Sequence, residues 1–168
     1  MSTEKAQPIE SSPDGARQPR LSGPLYFEDI HVGDTWVSGG RTVTETDVVM
    51  FAGLTGDYNP LHVDHEFAKE TPFGKPIAHG LLGMALVAGL GNHAPLVKTA
   101  AFVSVRDWKF LEPTFIGDTV HVHTEVMEMC ERGRRRGEVV WRRRLVRHDG
   151  TTLQEGLFDS LVMKRLPG

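Results

Sequence analysis

Cysteine is almost absent from this chain. Its 168 residues include one, Cys130, so no intrachain disulfide can form and no zinc site can be built from cysteines. A chain without a disulfide framework suits a reducing compartment, and a cytoplasmic location is expected. Long apolar runs are lacking too. The most hydrophobic stretch, Leu81 to Leu90, is about half the length that a bilayer-spanning helix needs, and glycines interrupt it. The N-terminal residues contain no apolar segment of the kind a secretory signal carries. No membrane partner is expected. Positive charge is not in excess either: the formal net charge is −3, so nothing in the overall balance points to nucleic acid.

What is present is ordinary globular material, 39% hydrophobic and 24% charged, in a length that fits one domain with a substantial core. Residues 1–23 are rich in Ser, Pro, Gly, Glu and Gln. They offer too little apolar surface to offset the entropy of ordering and are expected to form a mobile tail. Residues 24–168 are expected to form the domain.

Within that domain the pattern changes twice. Thr35 to Arg41 reads as a short strand loosened at its end by Gly39 and Gly40. Thr44, with Asp47 three residues on, approximates a capping box for a helix that is expected to stop at Gly53. Residues 55–76 carry Gly56, Pro60, Pro72, Gly74 and Pro76 and read as a long irregular segment, with one short helix capped by Asp64. Residues 77–92 are apolar almost all round, as a buried helix is. After Pro95, four segments rich in Val, Thr, Phe and Trp read as consecutive antiparallel strands. They are Phe102–Phe110, Thr119–Met129, Glu138–Arg147 and Leu153–Arg165, and Asp149-Gly150 is a hairpin signal between the last two. The order implies an α+β domain in which one curved antiparallel sheet wraps a long central helix. The helix face left over needs a cover, which a second copy of the chain would supply, so a homodimer or a higher oligomer built from dimers is expected.

The chemistry concentrates in Gly56-Asp57-Tyr58-Asn59-Pro60-Leu61-His62-Val63-Asp64. Asp57 and His62 place a carboxylate and an imidazole close together on a segment that Gly56 and Pro60 keep from being a regular helix. Such a pair can hold a water molecule and move its protons near neutral pH. Ala78-His79-Gly80 then opens the apolar helix. The unpaired N–H groups of a helix start suit an oxygen that gains negative charge. Together these are the minimum requirements for adding water to an activated carbonyl compound, or for removing it.

These residues resemble the MaoC-like hotdog-fold family of (R)-specific enoyl-thioester hydratases and dehydratases. The resemblance rests on Phe51 to Asp64, on Phe73 to Leu82, and on Asp107-Trp108-Lys109-Phe110 and Pro113 to Val120. It covers about Tyr26 to Lys164. It implies a hotdog fold and a substrate that is an acyl thioester of coenzyme A or of an acyl carrier. It assigns Asp57 and His62 as the catalytic pair, and the Gly80 N–H as the donor to the thioester oxygen. Asn59 is expected to brace the turn or to reach substrate. No cofactor and no metal are expected, because the spacing of His62, Asp64, His65 and His79 matches no metal motif.

Two other functions remain compatible with the fold: an acyl-CoA thioesterase, in which the carboxylate would direct water onto the carbonyl carbon, and a non-catalytic acyl-thioester binding module. The eight arginines at 132, 134–136, 142–144 and 147 are read as a solvated hairpin and strand face. Their alternative role is attraction for coenzyme A phosphates or an acidic carrier protein. His121 and His123 alternate on one strand and are read as surface or sheet-packing residues.

Overall fold

The structure is a computed structural model that describes residues 23–165. The tail expected over residues 1–23 lies, but for Gly23, outside them. After a 3-10 turn at Phe27–Asp29, the described elements are β1 (Thr35–Val37), β2 (Arg41–Thr42), α1 (Glu45–Thr55), α2 (Pro60–Val63), α3 (His65–Lys69) and α4 (Gly80–Gly91). Four long strands follow: β3 (Thr99–Phe110), β4 (Thr119–Glu131), β5 (Arg136–Arg147) and β6 (Thr152–Met163).

The sheet order is β1-β4-β5-β6-β3, with β2 also on β4, and every strand pair is antiparallel. Inward positions alternate along β4, where Val120, Val122 and Val126 are fully buried, as period-two side-chain direction requires. Against them and against Val139, Trp141 and Phe158, α4 packs Leu82, Leu86 and Val87. Burying side chains of this kind stabilises by about 1.5–3 kcal/mol each. The result is the expected hotdog architecture, a sheet curved around one helix.

Three expectations need correction. First, α1 runs two residues past Gly53, and the stop is Gly56 in the left-handed region at φ 78°, whose N–H bonds the Ala52 carbonyl. Gly53 keeps helical geometry because an isolated glycine weakens a helix without ending it. Second, Pro60 starts a helix. It occupies the first turn of α2, where the N–H it lacks has no partner to lose, so His62 sits on one turn of helix. Third, the solvated arginine face holds for Arg132, Arg142 and Arg147, paired with Glu138, Glu125 and Asp149 at 2.6, 3.6 and 2.9 Å, but not for Arg143. That side chain turns inward, and the residue is only 8% exposed.

α4 is not covered on all sides within one chain. Leu81, Ala85 and Gly89 are exposed, and their i, i+4, i+8 spacing puts them on one stripe. β3 is an edge strand of 12 residues that exposes Phe102, Val103 and Phe110. Among the described residues no helix is long and apolar enough to cross a membrane.

Candidate active site

The segment between α1 and α4 is held by short-range hydrogen bonds that the sequence dictates. Thr55 Oγ1 accepts from the Asp57 N–H at 3.3 Å, and Asp57 Oδ1 accepts from the Asn59 N–H at 3.3 Å. Asn59 caps α2, its Oδ1 accepting from the Leu61 N–H at 3.0 Å. This is the bracing role open to Asn59, and it follows from the short amide's reach to the backbone two residues on. Asp64 caps α3 in the same way through the N–H groups of Glu66 and Phe67.

Two longer hydrogen bonds join this loop to the start of α4. His62 Nδ1 lies 2.8 Å from the Ile77 carbonyl, and His79 Nε2 lies 2.9 Å from the Asp57 carbonyl. A carbonyl only accepts, so each of these nitrogens carries the hydrogen. In the neutral ring that leaves Nε2 of His62 and Nδ1 of His79 as acceptors. His79 is buried at 2% exposure, and its Nδ1 has no partner among the described residues. The two rings lie 3.9 Å apart, centroid to centroid, and Phe51 packs on His79 at 5.1 Å. His79 is therefore a structural hydrogen-bonding residue, fixing both the Asp57 backbone and the plane of His62.

The loop brings together what the sequence suggested. One ligand-type atom from each of Asp57, His62 and His79 lies within 4.8 Å of the other two. Two hydrogen bonds of about 2.8 Å meeting at one water molecule span a gap of this size. Asp57 is exposed and His62 half-buried, so the pair faces a place that solvent can enter. The same three side chains could also chelate an ion, and they are the one such trio among the described residues. Asp64 and His65, the other ligand types in this stretch, are turned elsewhere: Asp64 to its cap and His65 to Glu45 at 3.1 Å.

His62 and Gly80 line one cavity of about 230 Å³, closed on the strand side by Phe110 and Gln154. Gly80 is the first residue of α4, and no side chain caps the helix there, so the dipole's positive end is left without a protein anion. The Gln154 Nε2–H donates to the Gly80 carbonyl at 3.1 Å, and the Trp108 Nε1–H donates to Gln154 Oε1 at 3.3 Å. Gln154 and Trp108 thus fix the first peptide of α4 from the sheet side. Sequence reasoning missed Gln154. A signal existed, since an amide in an otherwise apolar strand position must find partners when buried.

A family model described as MaoC like domain matches residues 31–147, and the chain belongs to this family. A 3-hydroxybutyryl-CoA dehydratase from Methylorubrum extorquens is 43% identical over 112 residues, 66% of this chain and 69% of that protein. An (R)-specific enoyl-CoA hydratase from Rhodospirillum rubrum is 41% identical over 96 residues, 56% of this chain and 65% of that protein. The solved structure of a monoamine oxidase regulatory protein from Archaeoglobus superposes with a TM-score of 0.78 at 38% identity, covering 84% of this chain and 96% of the other.

Proposed function

We propose that the protein adds water to a trans-2-enoyl thioester, or removes it from the 3-hydroxyacyl thioester, with coenzyme A or an acyl carrier as the thiol. One observation carries this reading: a carboxylate and an imidazole stand within reach of one water, and that imidazole shares a cavity with an uncapped helix start. In an enoyl thioester the double bond is conjugated to the carbonyl. Attack of water at the β-carbon moves charge onto the carbonyl oxygen, and the α-carbon takes a proton. The Gly80 N–H stabilises that oxygen, Asp57 accepts a proton from the water, and His62 Nε2 orients it. A site of this kind speeds both directions, and the metabolite ratio sets the flux. The (R) configuration of the product is what the family resemblance implies.

The working unit in this reading is a homodimer. The cavity of about 230 Å³ is below the usual range for a ligand pocket. It borders Phe110 on the uncovered edge strand β3, and a second copy seated there would cover the exposed apolar residues and deepen the site. Sedimentation or light scattering checks this, and a monomer at micromolar concentration would remove it.

Crotonyl-CoA loses its conjugated ultraviolet absorbance on hydration, whereas a thiol reagent detects thioester hydrolysis. The expected result is absorbance loss without thiol release, insensitive to EDTA. Thiol release alone would establish the thioesterase reading, and loss of activity in EDTA would turn the Asp57–His62–His79 trio into a metal site.

A further inference from the structure

Arg143 does not behave as the paired arginines do. It is almost completely buried, and no carboxylate among the described residues pairs with it. Its Nη2 reaches the Gly91 carbonyl at a long 3.4 Å, and Nε has no partner among the described residues. Its guanidinium carbon stands 5.1 Å from the centre of the Phe158 ring. The last turn of α4 offers it the dipole's negative end, worth about half an elementary charge, and the aromatic face offers a modest further attraction. Neither amounts to a counter-ion. Burial lowers its pKa to about 10, which still leaves it charged near neutral pH.

The side chain is also given room at some cost. A Cβ at Gly91 would lie 2.8 Å from Nη1, so a larger residue there would push the guanidinium from its present position. Beyond it opens a cavity of about 540 Å³, walled by Trp141, Phe158, Leu96 and Phe102, the last on the edge strand that the homodimer would cover, with Ser160, Asn92, Thr99 and His93 as its other polar lining. A buried cation without an acid, in an apolar chamber of ligand size, is half of a charge-assisted pair.

We propose that this cavity receives a carboxylate carried on an apolar body, with Arg143 as its counter-ion. A single guanidinium matches one carboxylate in charge and in its two-pronged geometry. A phosphate monoester would bring nearly two negative charges against it. The carboxylate has two possible sources. It is the far end of an acyl thioester that reacts at Gly80, or it is a free carboxylic acid that binds beside the site. The first source rests on the hydratase reading. It requires a chain running along α4, about 16 Å from Gly80 to Gly91 at the helical rise. Trp108 and Phe102 flank Phe158 with ring centroids at 5.4 and 5.2 Å and form an aromatic wall on that side of the helix.

The test uses the full chain and the fluorescence of its tryptophans, since Trp141 lines the cavity. Decanoate is expected to quench it saturably, and decanol, its uncharged counterpart, much more weakly. Arg143→Met should weaken decanoate by about tenfold or more, and Arg143→Lys should keep part of the affinity. In a second arm, an enoyl-CoA with a terminal carboxylate is compared with its methyl ester. If the substrate is the source, kcat/KM favours the acid, Arg143→Met removes the preference, and crotonyl-CoA hydration stays unchanged. If a free acid is the source, decanoate binds and the preference is absent. Equal binding of decanoate and decanol together with no preference between acid and ester would overturn the proposal. So would an Arg143→Met variant that binds and discriminates as the original does, and so would a second copy of the chain already supplying an acid to Arg143. Inactivity toward crotonyl-CoA would sink the hydratase reading alone, because the fluorescence arm does not depend on turnover.

Discussion

The two ends of α4 are finished in opposite ways. At Gly80 the helix begins without a side-chain cap, beside an exposed carboxylate and a half-buried imidazole whose remaining hydrogen-bonding atoms point to where solvent enters. At Gly91 it ends against a guanidinium that is largely buried. At the first end water can serve Asp57 and His62 until a reactant replaces it, and only the buried His79 Nδ1 goes without a partner among the described residues. The second carries a desolvated charge whose cost is fixed in the resting protein. In the proposed reading one end serves chemistry and the other selection, and each part of this contrast can be broken by substitution.

The largest effect is expected at the first end. Asp57→Asn or His62→Ala should lower kcat for crotonyl-CoA by roughly 10²–10⁴-fold without unfolding the protein, His62→Ala alone also losing the bond to the Ile77 carbonyl, and full activity in either would discard the pair. Gly80→Ala comes next. Its Cβ would stand 2.8 Å from the Phe110 ring, so the ring or the first peptide of α4 must shift. A misplaced donor should cost about tenfold or more in kcat, against little change in far-ultraviolet circular dichroism. At the second end the sign should reverse: Arg143→Met removes a buried, unpaired charge and should raise unfolding stability by about 1 kcal/mol, read as a higher urea midpoint. A drop of that size would mean that Arg143 already has a counter-ion.

The smallest effect concerns a pair outside both ends. Asp159, nearly buried on β6, accepts from Arg106 Nε and Nη2 at 2.7 and 2.9 Å and from the Ser104 hydroxyl. The Arg106 hydrogen bonds hold its carboxyl below the usual value of 3.8. A depressed carboxylate pKa means that the unfolded chain takes up the proton first on acidification. The stability it contributes is complete above about pH 4 and is lost as the pH falls through the folded value. Asp159→Asn should cost about 0.5 kcal/mol at pH 7, discounted because Arg106 is half exposed. It should also flatten the fall of the urea midpoint below pH 4.

The ease of reading the two ends from sequence differed for a physical reason. The Asp57–His62 arrangement is local. Caps at Thr44, Asn59 and Asp64 act over two or three residues, so the letters that make them sit side by side. The four long strands were legible because alternation is local too. The distant members were not: Gln154 meets Gly80 across 74 residues and Arg143 meets Gly91 across 52. In a run of three arginines, nothing in the letters says which one faces inward. The pleat decides that, and only once strand register is set by the neighbours Thr124 and Gly156. Pro60 was misread for a related reason. Its effect depends on whether it falls at a helix start or in its middle, and Asn59 settles that by capping.

His62 and His79 each reach across to the other's segment, the first to the carbonyl just before α4 and the second to the carbonyl of Asp57. The two strands of this stitch are crossed, so neither half of the reactive loop can fray without pulling on the helix that anchors the core. On heating, activity is therefore expected to disappear together with the unfolding of the domain, because the loop is tied to the helix through both histidines.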